Sequence, residues 1–229
     1  MIDRNRETDE RLEHECDMLL MGYACGRLDE AQSLLVASYL SLSERARRHA
    51  ALYERMGGAV MEHQCNPVAM AEGALQAVMA QLEARIPQPQ KPYARRHGVD
   101  NIPLPHPLCA QLSQRCAGPP VWRAAWRGVR VLRIPAAPDC HRAIGIVLFR
   151  PGARIPMHRH EGREIMLVLD GAFTDESGTH RRGDILIMDA DTFHTLRADP
   201  REGCACLIVT DTPRQIEPHW VVRLLDMFQ

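Results

Sequence analysis

The stretch GARIPMHRHEGREIMLVLDG, residues 152–171, carries two imidazoles and a carboxylate in close succession: His158, His160 and Glu164. In an extended chain successive side chains alternate between faces, so these three share one side. Arg159 and Arg163 take the other side, with Gly162 allowing an irregularity. Two neutral imidazoles and a carboxylate suit a borderline divalent ion, at bond lengths of about 2.0–2.2 Å for zinc. A neighbouring strand has to supply the fourth ligand. His194, just after the turn Asp189 to Thr192, is placed to do so. Without a cation, the same groups would be costly unpaired polar atoms inside a small barrel. His180 and His219 each stand alone, and a solitary histidine on an apolar strand is more often structural than a ligand.

Around this stretch the chain reads as short β-rich runs separated by turns: Val129 to Ile134, Ala143 to Phe149, Ile165 to Leu169, Ile185 to Met188 and Cys204 to Val209. An all-β domain of sandwich or barrel type is expected over residues 108–229. Upstream, Pro87 to Pro107 has proline at 87, 89, 92, 103, 105 and 107 and reads as an extended linker.

The first 86 residues differ again, with few β-branched residues and apolar positions at helical spacing. A first helix holds Met18, Leu19, Leu20 and Tyr23 and stops near Gly26. Asp29 caps a second, with Leu34, Leu35, Val36, Tyr39 and Leu40; Ser43 and Glu44 begin a third. The third is expected to stop at Gly57 and Gly58, with a short continuation to Met61, and Asn66 before Pro67 to cap a fourth. The stripe Met70, Leu75, Val78, Met79 and Leu82 is expected to face a bundle core.

The formal net charge of -1 hides an acidic excess before Pro87 and a basic excess after it. No run of eighteen apolar residues occurs and the start, Met1 to Arg11, is polar, so a cytoplasmic protein without a membrane span is expected. The eight cysteines lack the regular spacing of a secreted disulfide scaffold. Arg45, Arg47 and Arg48 have acidic neighbours and no nucleic-acid reader motif beside them, so direct DNA binding is not expected.

Gly152, His158, His160, Glu164 and Gly171 match every fixed position of the first cupin motif, and Gly183, Asp189, Asp191 and His194 are similar to the second. The resemblance implies a double-stranded β-helix, or jelly-roll, barrel that binds one metal ion through His158, His160, Glu164 and His194. The ion would be zinc, with iron, manganese or nickel accepting the same ligands. The asparagine that often follows the last histidine is missing here, which leaves the ligands untouched.

A helical half joined to a cupin resembles the ChrR family of anti-sigma factors. The likeness runs through His14, the run Leu19 to Gly26, Leu34 to Leu42, Gly57 with Gly58, Gly171 to Phe173 and Cys204 to Cys206. It implies a multidomain α + β chain: an anti-sigma domain over 1–86, a linker over 87–107 and a cupin domain over 108–229. It also implies that the helical half holds an extracytoplasmic-function sigma factor. The cupin would answer singlet oxygen or an organic hydroperoxide, a role in oxidative stress.

One departure stands out. The family's helical zinc site uses a histidine near the first helix and a His, three residues, Cys, two residues, Cys signature. Here His14 matches the first ligand, but the signature positions hold Tyr39, Ser43 and Ala46. One histidine does not make a tetrahedral site, so no zinc is expected in this half. Cys16 and Cys25 do not reproduce the spacing, and Tyr39 is expected to fill the ligands' place. Cys204 and Cys206 share a strand face and read as core residues. The competing function is a metal-dependent cupin dioxygenase, because the same ligands serve enzymes.

Overall fold

A computed structural model describes residues 2–84, 102–116, 121–160 and 162–211, with side chains from residue 10 onward. Four helices come first: α1 (Ile2–Ala24), α2 (Glu30–Leu42), α3 (Glu44–Gln64) and α4 (Ala74–Ala84). Helix α1 ends where expected. Gly26 adopts a left-handed φ of 65°, and its N–H and that of Arg27 donate to the carbonyls of Tyr23 and Gly22 at 3.0 and 2.9 Å. These bonds satisfy carbonyls that the last turn would otherwise leave open.

Asp29 caps α2, accepting from the Gln32 N–H at 2.9 Å through one carboxylate oxygen and from Arg142 at 2.6 Å through the other. Asp29→Ala is expected to cost about 1–2 kcal/mol, read as a lower urea midpoint, because both the cap and a half-buried ion pair go. Ser43 closes α2 through its N–H on the Tyr39 carbonyl and opens α3 by accepting from the Ala46 N–H at 3.2 Å.

Two helix readings are corrected. Helix α3 runs through Gly57 and Gly58 to Gln64 without a break. Two helical glycines cost roughly 1 kcal/mol each, too little to stop a helix flanked by good formers. Asn66 does not cap a helix. Residues 66–71 are irregular, and α4 starts only after Gly73, at φ 78°. Val68 and Met70 pack on nothing, being 88 % and 69 % exposed, and a lone turn nucleates poorly.

A fifth helix, α5 (His106–Arg115), lies where the β domain was expected to begin. Prolines disguise it in the sequence. Pro105 is its N-cap and Pro107 sits in the first turn, where a missing N–H costs nothing. Leu108 and Leu112, both buried, hold it against α2. The linker residues 85–101 and the region from 212, with His219, lie outside the described residues.

The remainder is one antiparallel sheet curled on itself, consistent with the expected barrel. Its strands are β1 (Arg123–Trp126), β2 (Val129–Ile134), β3 (Ala143–Phe149), β4 (Arg154–His158), β5 (Glu164–Thr174), β6 (Thr179–Arg181), β7 (Ile185–Met188), β8 (His194–Ala198) and β9 (Cys204–Thr210). The order is β1-β2-β3-β9-β5-β8-β4, with β6 and β7 also paired to β5.

The central strands are apolar on both faces, and alternate residues serve two cores. Ile165, Leu167 and Leu169 of β5, with Ala205, Leu207 and Val209 of β9, join a cluster that includes Leu20, Leu35 and Val36 of the helices. Met166 and Val168, with Cys204, Cys206 and Ile208, face the other way into the barrel. Cys204 and Cys206 are therefore core residues, with sulfurs 3.5 Å apart. The helices sit directly on the outer wall of the barrel.

Candidate metal centre

The ligand candidates come from two hairpins. Strand β4 ends at His158, opposite His194, the first residue of β8. The next strand begins at Glu164, which pairs with Met188 of β7 and Thr210 of β9. His160 lies past the end of β4 rather than on a strand. The expected single strand face is thus corrected to a strand end, a residue beyond it and a strand start. The outcome is the same. His158, His160, Glu164 and His194 are each at most 4 % exposed, while Arg159 points out.

The three imidazoles converge. Ring centroids lie 4.3 Å apart for His158 and His194, 5.0 Å for His158 and His160, and 5.1 Å for His160 and His194. The Nε2 atoms of His160 and His194 are 2.9 Å apart, and one nitrogen from each ring falls within 4.8 Å of the others. Among the described residues this is the only cluster of three or more such groups. Glu164 stands beside it, a carboxylate oxygen 3.4 Å from His160 Nδ1.

The donor chemistry fits a divalent cation. His158 donates from Nδ1 to the Pro156 carbonyl at 2.9 Å, which turns its Nε2 lone pair toward the cluster, an orienting bond typical of ligating histidines. His194 Nδ1 is buried without a hydrogen-bond partner. Burial pushes the His160 ring down to about 4 and the His194 ring to about 3, and lowers His158 with help from the neighbouring His160. All three rings are therefore neutral near pH 7, the form in which an imidazole ligates a metal ion. Burial also lifts Glu164 to about 7, a carboxyl held back from ionising by loss of water. A dication would reverse that.

Two spaces flank the cluster. Inside the barrel a cavity of about 20 Å³ is lined by His158, Glu164 and His194 among apolar residues such as Phe149 and Met166. Outside, a cleft of about 500 Å³ lies between α1, with Arg11, Leu12 and Glu15, and the barrel rim at Phe193 and His194. Ion pairs from Arg11 to Asp189 and from Arg163 to Glu15 tie α1 to that rim. Sequence reasoning missed this seam because it joins residues more than 140 positions apart.

In the helical half His14 is exposed, Ala46 is buried, and Tyr39 is half-buried and hydrogen-bonded to Ser43. Cys16 packs nearby, its thiol pushed up to about 11 by burial and by Asp17, so it is not a ready thiolate. Tyr39 packs against the shared core, which accords with a ring filling space between helices. Tyr39→Ala is expected to lower stability by about 1–2 kcal/mol in chemical denaturation, against no change for Glu54→Ala on the exposed side of α3. Equal stabilities would remove the space-filling role.

Residues 120–212 match the family model described as the ChrR cupin-like domain. The anti-sigma-E factor ChrR of Cereibacter sphaeroides is 40 % identical over 201 residues, spanning 87 % of this chain and 90 % of that protein. Among solved structures, the crystal structure of Rhodobacter sphaeroides SigE in complex with the anti-sigma ChrR holds a chain 36 % identical, with a TM-score of 0.65. That match covers 85 % of this chain and 96 % of the other.

Proposed function

Since the chain belongs to the ChrR family of anti-sigma factors, we propose that its helical half sequesters an extracytoplasmic-function sigma factor and that its barrel, holding one divalent ion, makes the hold responsive to oxidant. The observation that carries the first part is an apolar face with no partner among the described residues. Helix α4 has no buried residue, yet Leu75, Val78, Met79 and Leu82 recur at helical spacing and are 49–63 % exposed. Leu52, Met56 and Val60, spaced four apart, give α3 an exposed apolar face of its own. An amphipathic stripe left in water marks a docking site. The expectation that it packs in the chain's own bundle core is corrected accordingly. The acidic excess before Pro87 suits a basic partner and bears on encounter rate.

His158, His160, Glu164 and His194 would hold the ion, zinc first, with iron, manganese or nickel fitting the same donors. Bound there, the ion would keep Glu164 ionised and present a Lewis-acidic centre. The chain's own part is to keep the rings neutral, to aim His158 through Pro156, and to exclude water by burial. The functional division is 1–86 for sigma binding, 87–107 as linker and 108–229 for the barrel, although α5 packs on the helical side of that boundary. No zinc is assigned to the helical half. Among the described residues no helix is long and apolar enough to cross a membrane. A partner that works on RNA polymerase places the chain in the cytoplasm.

The alternative is a metal-dependent dioxygenase, for which the same four donors would serve and the cleft of about 500 Å³ that reaches His194 would admit a small substrate. The test is capture of extracytoplasmic-function sigma factors by the full chain, with metal analysis of the same preparation. A stoichiometric sigma complex is expected. No sigma partner, together with turnover of a small organic substrate by the iron-loaded chain, would transfer the assignment to the enzyme.

A further inference from the structure

We infer that Met56, Met61 and Met79 are oxidation-sensitive positions on the proposed sigma-docking helices, where conversion of their thioethers to sulfoxides weakens partner binding. The inference rests on the proposed docking role of α3 and α4. Exposed methionines concentrate in the helical half, Met157 of β4, at 50 % exposed, being the exposed one of the barrel among the described residues. In the barrel, Met166 and Met188 are 2 % and 5 % exposed, as core residues should be. In the helical half every methionine whose side chain is described is exposed, and Met56, Met61 and Met79 are 56 %, 63 % and 49 % open.

These three lie among the exposed apolar residues of α3 and α4. Met56 falls between Leu52 and Val60 on α3, Met61 follows Val60, and Met79 sits within the α4 stripe. A thioether is an apolar, pliable contact that suits a surface awaiting a partner. It is also the apolar side chain that a mild oxidant alters most readily, and exposure sets its susceptibility.

The step balances with a hydroperoxide as co-reactant. The thioether sulfur takes the terminal oxygen of R–O–O–H, the O–O bond breaks, and an S–O bond forms. Sulfur is oxidised by two electrons, and the peroxide leaves as the alcohol, with its proton on the remaining oxygen. The product is a polar, chiral acceptor where the interface needs a dry contact. Each sulfoxide left without a donor in the complex weakens binding by about tenfold or more. Because the partner covers this face in the complex, the reaction takes place on the free chain and blocks reassociation. This route is independent of the metal centre, since none of the three methionines lines the cavity or the cleft beside the ligand candidates.

The test uses the full chain and its captured sigma factor. The chain is treated with tert-butyl hydroperoxide and then with dithiothreitol, which reverses sulfenic acid and disulfide chemistry at Cys25 and Cys65 but leaves sulfoxides. Expected are one added oxygen on each of the three methionines by mass spectrometry and binding at least about tenfold weaker. Methionine sulfoxide reductases acting on both epimers should restore binding. The variant M56L/M61L/M79L keeps apolar area but has no thioether at these positions, so whatever its starting affinity, that affinity should be the same before and after oxidation.

Equal loss in this variant would overturn the inference, as would full affinity in a parent chain carrying all three sulfoxides, or failure of the reductases to restore binding. An untreated parent that binds no sigma factor would instead remove the functional reading beneath it.

Discussion

Val78→Asp weakens sigma binding by at least about a hundredfold while leaving the melting temperature of the free chain unchanged. Val78 is 49 % exposed on a helix that buries none of its residues, so the folded chain loses no packing when the side chain changes. In the complex the same position is to be covered, and an aspartate there is a charge taken out of water without a partner. Truncating or charging a buried interface contact typically costs 2–4 kcal/mol, and 2.8 kcal/mol is about a hundredfold in Kd. Titration calorimetry gives the affinity, and thermal unfolding of the unbound variant supplies the control. Unaltered affinity would show that the partner sits elsewhere on the chain.

The second large effect is on metal content. Full-length chain purified without chelator should carry about one transition metal ion, and His194→Ala about none. His194 faces His158 across the pairing of β4 and β8, and its Nε2 lies 2.9 Å from that of His160, so its removal opens the cluster at its centre. Glu164→Ala should act in the same direction, because the carboxylate offsets the charge of the ion. His180→Ala is the control. That ring bonds Asp175 and Ser177 in the β5–β6 turn and touches no ligand candidate, so metal content should stay at the parent value. Elemental mass spectrometry reads the stoichiometry. Stripping the parent with chelator should lower its melting temperature to that of His194→Ala, since ligand binding to the folded state is folding free energy. A full complement of metal in both ligand variants would discard the site.

The candidate site was legible because its chemistry and its backbone constraints are both written locally. Gly152, Gly171 and Gly183, three fixed glycines of the motifs, all adopt left-handed φ angles of 72°, 67° and 91°. At Gly171 a Cβ would also fall 2.2 Å from the Gly203 carbonyl oxygen. The motif therefore specifies turns as well as ligands. Val129 to Ile134 and Ala143 to Phe149 came out at their expected bounds because buried central strands give unbroken apolar runs.

What stayed hidden was non-local or ambiguous. Strands β1, β4, β6 and β8 have three to five residues with arginine, histidine or proline inside them, too short for a period to register. Parity put His158, His160 and Glu164 together for the wrong reason, since His160 lies past the end of β4 rather than on a strand. The α4 stripe read as core because amphipathicity states that a face will be covered and not by what. Helix α5 was concealed by composition, its two buried leucines outweighed by the prolines around its start.

The wall shared by the two cores has a consequence for how this protein can be divided. Leu207 and Val209 meet the helices while Cys206 and Ile208, one position away, line the chamber. Severed from its helices, the C-terminal piece would show water a broad greasy panel of isoleucine and leucine, and the helical piece would bare the matching one. Either fragment would be prone to clump, and stickiness of that origin would mimic partner capture in any experiment performed on halves.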